Sequence, residues 1–78
     1  MTLQEMLEGF SKMGVPENAF WLGNPELAEM QPGMYYDSEK WIVYFREKGL
    51  MTDRVVFSTQ EEACDELFRR LKKKYGHI

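Results

Sequence analysis

Apolar residues near the start of the chain recur at intervals of three and four, which places them on one face of a helix. Thr2 followed by Glu5 has the spacing of a capping box, in which each side chain satisfies a backbone donor. Gly14 can take the left-handed conformation that ends a helix, and Pro16 does not continue it. The pattern predicts a first helix over about residues 3–13. Its apolar face comprises Leu3, Met6, Leu7, Phe10 and Met13.

The segment that follows carries shorter signals. Residues 19–22 are compatible with a short extended piece, in which the adjacent Phe20 and Trp21 cannot both face inward. Asn24 before Pro25 is typical of an N-cap with proline at the first helical position, which predicts one or two helical turns. Residues 31–34, Gln-Pro-Gly-Met, fit a type II turn, with proline at its second position and glycine at its third.

From Met34 the pattern changes to aromatic and β-branched runs separated by polar turns. The runs at residues 34–36, 41–45 and 55–57 predict three strands of an antiparallel meander. Residues 37–40 close the first hairpin. Glu47 and Lys48 begin the second turn, where Gly49 can supply a positive φ.

The C-terminal stretch has the pattern of an amphipathic helix. Ser58 followed by Glu61 is a second capping-box match, and acidic residues cluster in the first turns after it. Five basic residues fill positions 69–74, before Gly76, so both ends of the helix complement its dipole. Its apolar lines contain Ala63, Cys64, Leu67, Phe68, Leu71 and Tyr75.

These elements predict a single two-layer α+β domain over residues 1–78, with an N-terminal helix, a three- to four-stranded antiparallel meander and a C-terminal helix. Both helices are expected on one face of the sheet. The predicted core residues on that face are Trp41, Val43, Phe45, Val55 and Phe57. The other face is expected to stay partly open, with the mixed aromatic, aliphatic and arginine composition that is enriched at protein interfaces; its residues are Ile42, Tyr44, Arg46, Arg54 and Val56.

Composition narrows the classes of function. The 78 residues carry a net charge of −3 with a pI near 5.1, which disfavours a surface that wraps nucleic acid. The basic cluster at residues 69–74 is explained by the helix dipole, with docking of nucleic acid or an acidic partner as the alternative. One cysteine, no basic-apolar leader and no long apolar run predict a cytoplasmic protein without a membrane anchor.

Groups that could perform catalysis are scarce. The only histidine, His77, follows the predicted helix end and is expected to be frayed, so no thiol–imidazole pair and no zinc set of cysteine and histidine is predicted. Cys64 lies on the apolar side of the second helix, where a small buried hydrophobe is the expected role. The scattered glycines form no phosphate loop. We therefore expect no enzyme activity, no cofactor and no metal site.

The pattern Trp-Ile-Val-Tyr-Phe-Arg-Glu-Lys-Gly at residues 41–49, followed by Val-Phe-Ser-Thr-Gln-Glu-Glu-Ala-Cys at 56–64 and Leu67, resembles small bacterial immunity proteins of polymorphic and contact-dependent toxin systems. The likeness covers about residues 34–71 and departs from the usual Ser-Glu-Arg-Gly turn at residues 46–49. A second likeness, to the arm-binding DNA domains of integrases, rests on the aromatic hairpin and the Phe-x-Thr-x-x-Glu-Ala pattern. Those domains are usually basic, and this chain is acidic.

The first resemblance implies a non-catalytic protein that binds a cognate toxin domain in the cytoplasm and blocks its active site or substrate path. Acidic and open-face residues are the expected contacts, because many such toxins carry basic clefts. An unpaired edge strand would also allow two copies of the chain to form a homodimer. The expected partner-binding residues are Asp37, Glu39, Tyr44, Arg46, Glu47, Asp53 and Arg54.

Overall fold

The computed structural model describes residues 1–76 and confirms the α+β class, with two helices packed on one four-stranded sheet. His77 lies outside the described residues. Within them, neither helix is long and apolar enough to cross a membrane. The elements are helix α1 (Leu3–Met13), strands β1 (Trp21–Leu22), β2 (Gln31–Asp37), β3 (Lys40–Glu47) and β4 (Leu50–Phe57), helix α2 (Gln60–Tyr75), and two 3₁₀ turns at Glu17–Ala19 and Pro25–Leu27.

The helix ends follow the capping chemistry with one correction. At α1 the capping box is complete, and Gly14 ends the helix with a φ of 76°. At α2 the N-cap is Thr59, whose hydroxyl accepts from the Glu62 backbone N–H at 3.2 Å. The prediction that Ser58 caps this helix is therefore wrong by one residue. Ser58 and Thr59 each have a suitable hydroxyl and an acid three positions later, so the sequence pattern fits both.

The sheet has the order β1-β2-β3-β4. β2, β3 and β4 form the predicted antiparallel meander, but β1 pairs with β2 in parallel, so the sheet is mixed. The predicted type II turn at residues 31–34 is also wrong, because this segment is the extended beginning of β2. Gly33 is used there for close packing: a Cβ atom on it would lie 2.5 Å from the Tyr44 hydroxyl and 2.6 Å from the Trp21 carbonyl oxygen.

Both hairpin turns occur where the sequence predicts them. Ser38 and Glu39 connect β2 to β3 with φ values of 51° and 67°. Lys48 and Gly49 connect β3 to β4 with φ values of 50° and 82°. Positive φ at both central residues is the signature of the type I′ turns that match the twist of a hairpin.

The main core lies between the helices and one face of the sheet. Val43 and Met34 face a buried cluster supplied mainly by the two helices, and Trp41 and Phe57 pack at its margin. The helices approach closely because Gly9 of α1 lies against the ring of Phe68 of α2. The residues of the cluster are Met6, Phe10, Val15, Met34, Val43, Ala63, Cys64, Leu67 and Leu71.

Two of the predicted core positions, Val55 and Phe45, neither belong to this cluster nor pack against it. Val55 is 39% exposed although it pairs with the buried Val43. β4 is the outer strand, and no described strand pairs with its free side, which leaves Val55 at the margin of the core. Phe45 is half-buried and does not belong to the cluster either.

The opposite face of the sheet is more covered than predicted. Ile42 is 2% exposed and Tyr44 is fully buried, so the expectation that these two residues stay open is wrong. The parallel pairing of β1 with β2 requires the intervening chain to cross the sheet. The Trp21 indole N–H, on this face by register, donates to the Asn24 carbonyl at 2.8 Å, and Ala28 in the same connection is buried. The connection therefore covers part of this face, while Val56 remains exposed as expected.

Candidate functional site: a binding surface

The sequence-predicted contact residues lie in three separate places. Asp37 and Glu39 are at the β2–β3 turn, and Glu47 is at the β3–β4 turn. The eight residues of β3 separate these turns by roughly 23 Å. Asp53 and Arg54 form a β-bulge in β4 opposite β3, in which Asp53 has a φ of 50°. The structure therefore does not gather the predicted residues into one compact site.

Tyr44 is not accessible in the isolated chain. Its ring packs edge-on against Tyr35 at a centroid distance of 5.7 Å, and its hydroxyl has no protein hydrogen-bond partner among the described residues. Burial raises the pKa of this phenol to about 12. Tyr44 is a packing residue, and a partner cannot reach it without moving the connection over this face.

The bulge is joined to α2 by an arginine. Arg70 donates to the Asp53 backbone carbonyl at 2.5 Å and to the Glu66 carboxylate at 2.8 Å. Arg69 makes two further bonds to Glu66, and its hydrogen bond, followed by that of Arg70, lowers the pKa of this carboxyl group. The basic cluster near the end of α2 is therefore partly neutralised within the helix. Among the described residues, Lys72, Lys73 and Lys74 are its cations without a carboxylate at ion-pair distance.

A cavity of about 580 Å³ with a mixed polar and apolar lining lies beside this arginine, at the C-terminal end of α2. Its lining includes Arg70, Lys74 and Tyr75 from the helix and Gln31 from β2. Arg46, on β3, does not line this cavity; it is half-buried, and its Nε atom has no hydrogen-bond partner among the described residues. Arg70 is paired with Glu66 and its side chain is 16% exposed, although its Nη1 atom has no partner among the described residues. Lys74 is exposed, so the cavity lacks an unpaired, deeply buried cation that would define an anion site.

A second cavity, of about 620 Å³, lies at the other end of α2 and is mainly apolar. We call it the apolar cleft and define it by Leu3, Leu22, Tyr36, Trp41 and Gln60. Leu3 and Gln60 are the first residues of the two helices, and Leu22 belongs to the edge strand β1. Tyr36 and Trp41 are directly paired between β2 and β3, with ring centroids 5.0 Å apart.

Sequence reasoning missed the apolar cleft. Tyr36 and Trp41 could have been recognised as a cross-strand aromatic pair, since they flank the first hairpin turn symmetrically. The contributions of Leu3 and Leu22 could not be recognised, because they depend on how α1 and the parallel strand β1 pack beside the hairpin.

Exposed acids follow several residues that line the apolar cleft. Asp37 comes after Tyr36, Glu39 is in the adjoining turn, and Glu61 comes after Gln60. The ion pairs of residues 1–76 are Met1 with Asp65 and Glu66 with Arg69 and Arg70, so none of these three acids has a protein cation at ion-pair distance. This end of the protein is therefore apolar at its centre and acidic around it.

Reactive groups do not converge elsewhere in the described part of the chain. Cys64 is fully buried, and desolvation raises the pKa of its thiol. Across residues 1–76, no three histidine, cysteine or carboxylate side chains come together in an arrangement that could hold a metal ion. Cys64 therefore has a packing role in the buried core cluster.

Comparison with protein-family models, with curated proteins and with solved structures gave no significant match to this chain. The two family resemblances of the sequence consequently stay predictions.

Proposed function

We propose that this protein is a non-catalytic binding protein of the bacterial cytoplasm that neutralises a cognate toxin domain, as an immunity protein does. The observation that carries the proposal is the set of exposed carboxylates at the sheet ends, chiefly Asp37 and Glu39, which have no cation at ion-pair distance within residues 1–76. Charged groups of this kind attract a basic partner and accelerate association. The resemblance over residues 34–71 supports the same class of partner.

The proposed mechanism is stoichiometric binding. The acidic surface associates with a basic cleft of the toxin domain and excludes its substrate, so the protein itself performs no chemistry. Of the predicted contacts, the proposal keeps the accessible ones and omits Tyr44, which is buried. The retained residues are Asp37, Glu39, Arg46, Glu47, Asp53 and Arg54.

The proposal is tested with the protein encoded next to this one in its genome, which the proposal expects to carry a toxin domain. We expect co-expression to restore growth and the purified proteins to form a 1:1 complex whose association slows as salt concentration rises. Combined Glu39→Lys and Glu47→Lys substitutions should weaken binding, whereas Glu8→Lys with Glu17→Lys, a matched reversal of exposed acids on another surface, should not.

Two results would contradict the proposed function, and a third would relocate the interface. Absence of any complex with the neighbouring domain would remove the immunity function. Salt-sensitive binding to duplex DNA in a gel shift, together with a recombinase as the neighbouring gene, would instead favour the integrase-like alternative. Unchanged affinity in the Glu39 and Glu47 double variant would remove both turns from the interface.

A further inference from the structure

We propose that the apolar cleft is where the partner docks, and that it receives an apolar side chain from a basic surface of that partner. This inference rests on the proposed function, since it takes the partner to be the toxin domain. It differs from the sequence-based expectation by placing the contact at one end of the sheet, beside Asp37 and Glu39, and away from Glu47 and the bulge.

Aromatic and aliphatic residues are exposed at the apolar cleft. Tyr36 is 56% exposed and Leu22 is 39% exposed, while Trp41 is half-buried next to them. Tyrosine and tryptophan beside a concave apolar surface are the residues that most often dominate binding energy at protein interfaces. A partner that covers Tyr36 and the edge of Trp41 can therefore gain binding free energy from their burial.

Acidic side chains surround the apolar cleft. Glu5 and Glu61 lie in the first turns of the helices, where the helix dipole gives acids a structural reason, and Glu5 accepts the Thr2 backbone N–H at 2.8 Å. Asp37 and Glu39 lie at no helix end, and none of the described cations is at ion-pair distance from them. Lys40 is the one basic neighbour in this turn, and it leaves a net negative charge. A partner with basic residues around its apolar anchor complements this arrangement.

The conformation of the turn agrees with this assignment. Both central residues have positive φ, which favours Asn-Gly, yet the chain has Ser38 and Glu39. Glycine, asparagine and aspartate adopt this conformation readily, whereas other residues adopt it at a cost in free energy. The β3–β4 turn, in contrast, has glycine at its second central position, Gly49. A glutamate at this less favourable position is consistent with a role for its carboxylate in binding.

Matched variants measured against the purified neighbouring toxin domain test this inference. Tyr36→Ser and Leu22→Ser should each raise the Kd by about tenfold or more. Val56→Ser, at a position that is 47% exposed on β4, is the control and should change the Kd less than about twofold. Glu39→Lys alone should weaken binding more than Glu47→Lys alone, because only Glu39 lies beside the cleft.

A fluorescence measurement gives an independent readout. In a Trp21→Phe variant, Trp41 is the only tryptophan of this chain. If the toxin domain contributes tryptophans, they are replaced by 4-fluorotryptophan, which is almost non-fluorescent, so that the emission comes from Trp41. We expect the Trp41 emission to shift to shorter wavelength as the partner displaces water from the cleft. Thermal melts monitored by circular dichroism establish that each variant is folded before its affinity is compared.

The outcomes separate the two proposals. If the toxin domain binds but Val56→Ser or Glu47→Lys reduces affinity while Tyr36→Ser and Leu22→Ser do not, the docking site is wrong and the proposed function stands. If no toxin domain binds, the proposed function fails and the docking site fails with it. If the cleft variants instead abolish self-association of the chain, the occupant is a second copy and the inference is overturned.

Discussion

The hydroxyl of Tyr44 lies inside the protein, against Gly33 and without a protein hydrogen-bond partner among the described residues. A buried hydroxyl that makes no hydrogen bond loses its hydration without compensation, which destabilises the folded state. At the residue scale, the hydroxyl of Tyr44 therefore lowers the stability of the folded state, whereas its ring packs against Tyr35.

We therefore predict that Tyr44→Phe raises the free energy of unfolding by about 1 kcal/mol. Urea denaturation monitored by circular dichroism measures the change, and Tyr36→Phe, at an exposed hydroxyl, should be neutral. A loss of stability in Tyr44→Phe would contradict the prediction, since it would mean that the hydroxyl gains a hydrogen bond from a buried water molecule.

The start of α2 belongs to the scale of the element. The Thr59 hydroxyl accepts the Glu62 backbone N–H at 3.2 Å, so it satisfies one of the free donors at the helix start. Ser58 has no such bond in the described structure. Thr59→Ala should therefore lower the free energy of unfolding by about 1 kcal/mol.

Ser58→Ala is the matched control for this prediction, because it removes a hydroxyl from the neighbouring exposed residue. We expect it to change the stability by less than about 0.5 kcal/mol. Thermal unfolding of both variants measures the difference. A larger loss in Ser58→Ala than in Thr59→Ala would restore the cap position that the sequence pattern first indicates.

The contact between α2 and β4 has a pH dependence that follows from Glu66. Its hydrogen bonds with Arg69 and Arg70 lower the pKa of the carboxyl group below its ordinary value of 4.5. A carboxyl group whose pKa is lower in the folded state stabilises the fold above the unfolded pKa. That stabilisation is lost as the pH falls through the folded pKa.

Glu66→Gln should lower the free energy of unfolding at pH 7 by roughly 1 kcal/mol, a value reduced for solvent screening of the Arg69 side. The difference from the unmodified protein should shrink as the pH is lowered from about 4.5, the ordinary value, toward 2. Denaturation curves at several pH values measure it, with Glu17→Gln as the exposed control. A difference that stays constant down to pH 2 would show that Glu66 is not acting as a charged acceptor.

At the scale of the whole molecule, the outer edge of β4 is the exposed strand edge with which a second copy of the chain could pair. Leu50, Met51, Val55 and Val56 are exposed along this strand, and its free edge has no partner strand within residues 1–76. The bulge at Asp53 interrupts the edge, and its carbonyl is occupied by Arg70. Bulges and short regular segments limit edge-to-edge pairing.

We accordingly predict a monomer at micromolar concentration, with weak homodimer formation through β4 only at much higher concentration. Val56→Lys should abolish the weak association, because a charged side chain on the edge opposes pairing. Analytical ultracentrifugation over a concentration series measures both states. A tight dimer that Val56→Lys leaves unchanged would place the self-contact elsewhere.

The sequence predicted the elements whose signals are local. The bounds of α1, its capping box and Gly14 follow from spacing and from the chemistry of a few adjacent residues. Both hairpin turns follow in the same way. The misreading of residues 31–34 as a turn has an equally clear origin: Pro-Gly is compatible with a type II turn, and only the partner strands β1 and β3 make the extended form favourable.

Side-chain exposure and the candidate docking site required the tertiary structure. Alternation along β3 correctly divides Val43 from Tyr44, but it cannot reveal that the connection after β1 covers the second face. The apolar cleft likewise needs α1, β1 and the first hairpin to converge, which no spacing in the sequence encodes.

The amino-acid order alone determined the α+β class, the helices and the hairpins, because periodicity, caps and turns act between residues close in the chain. The tertiary structure decided the parallel placement of β1, the burial of Tyr44 and the acid-flanked cleft beside Tyr36. These features depend on contacts between distant segments, whose free energy comes from packing and desolvation that local sequence does not specify.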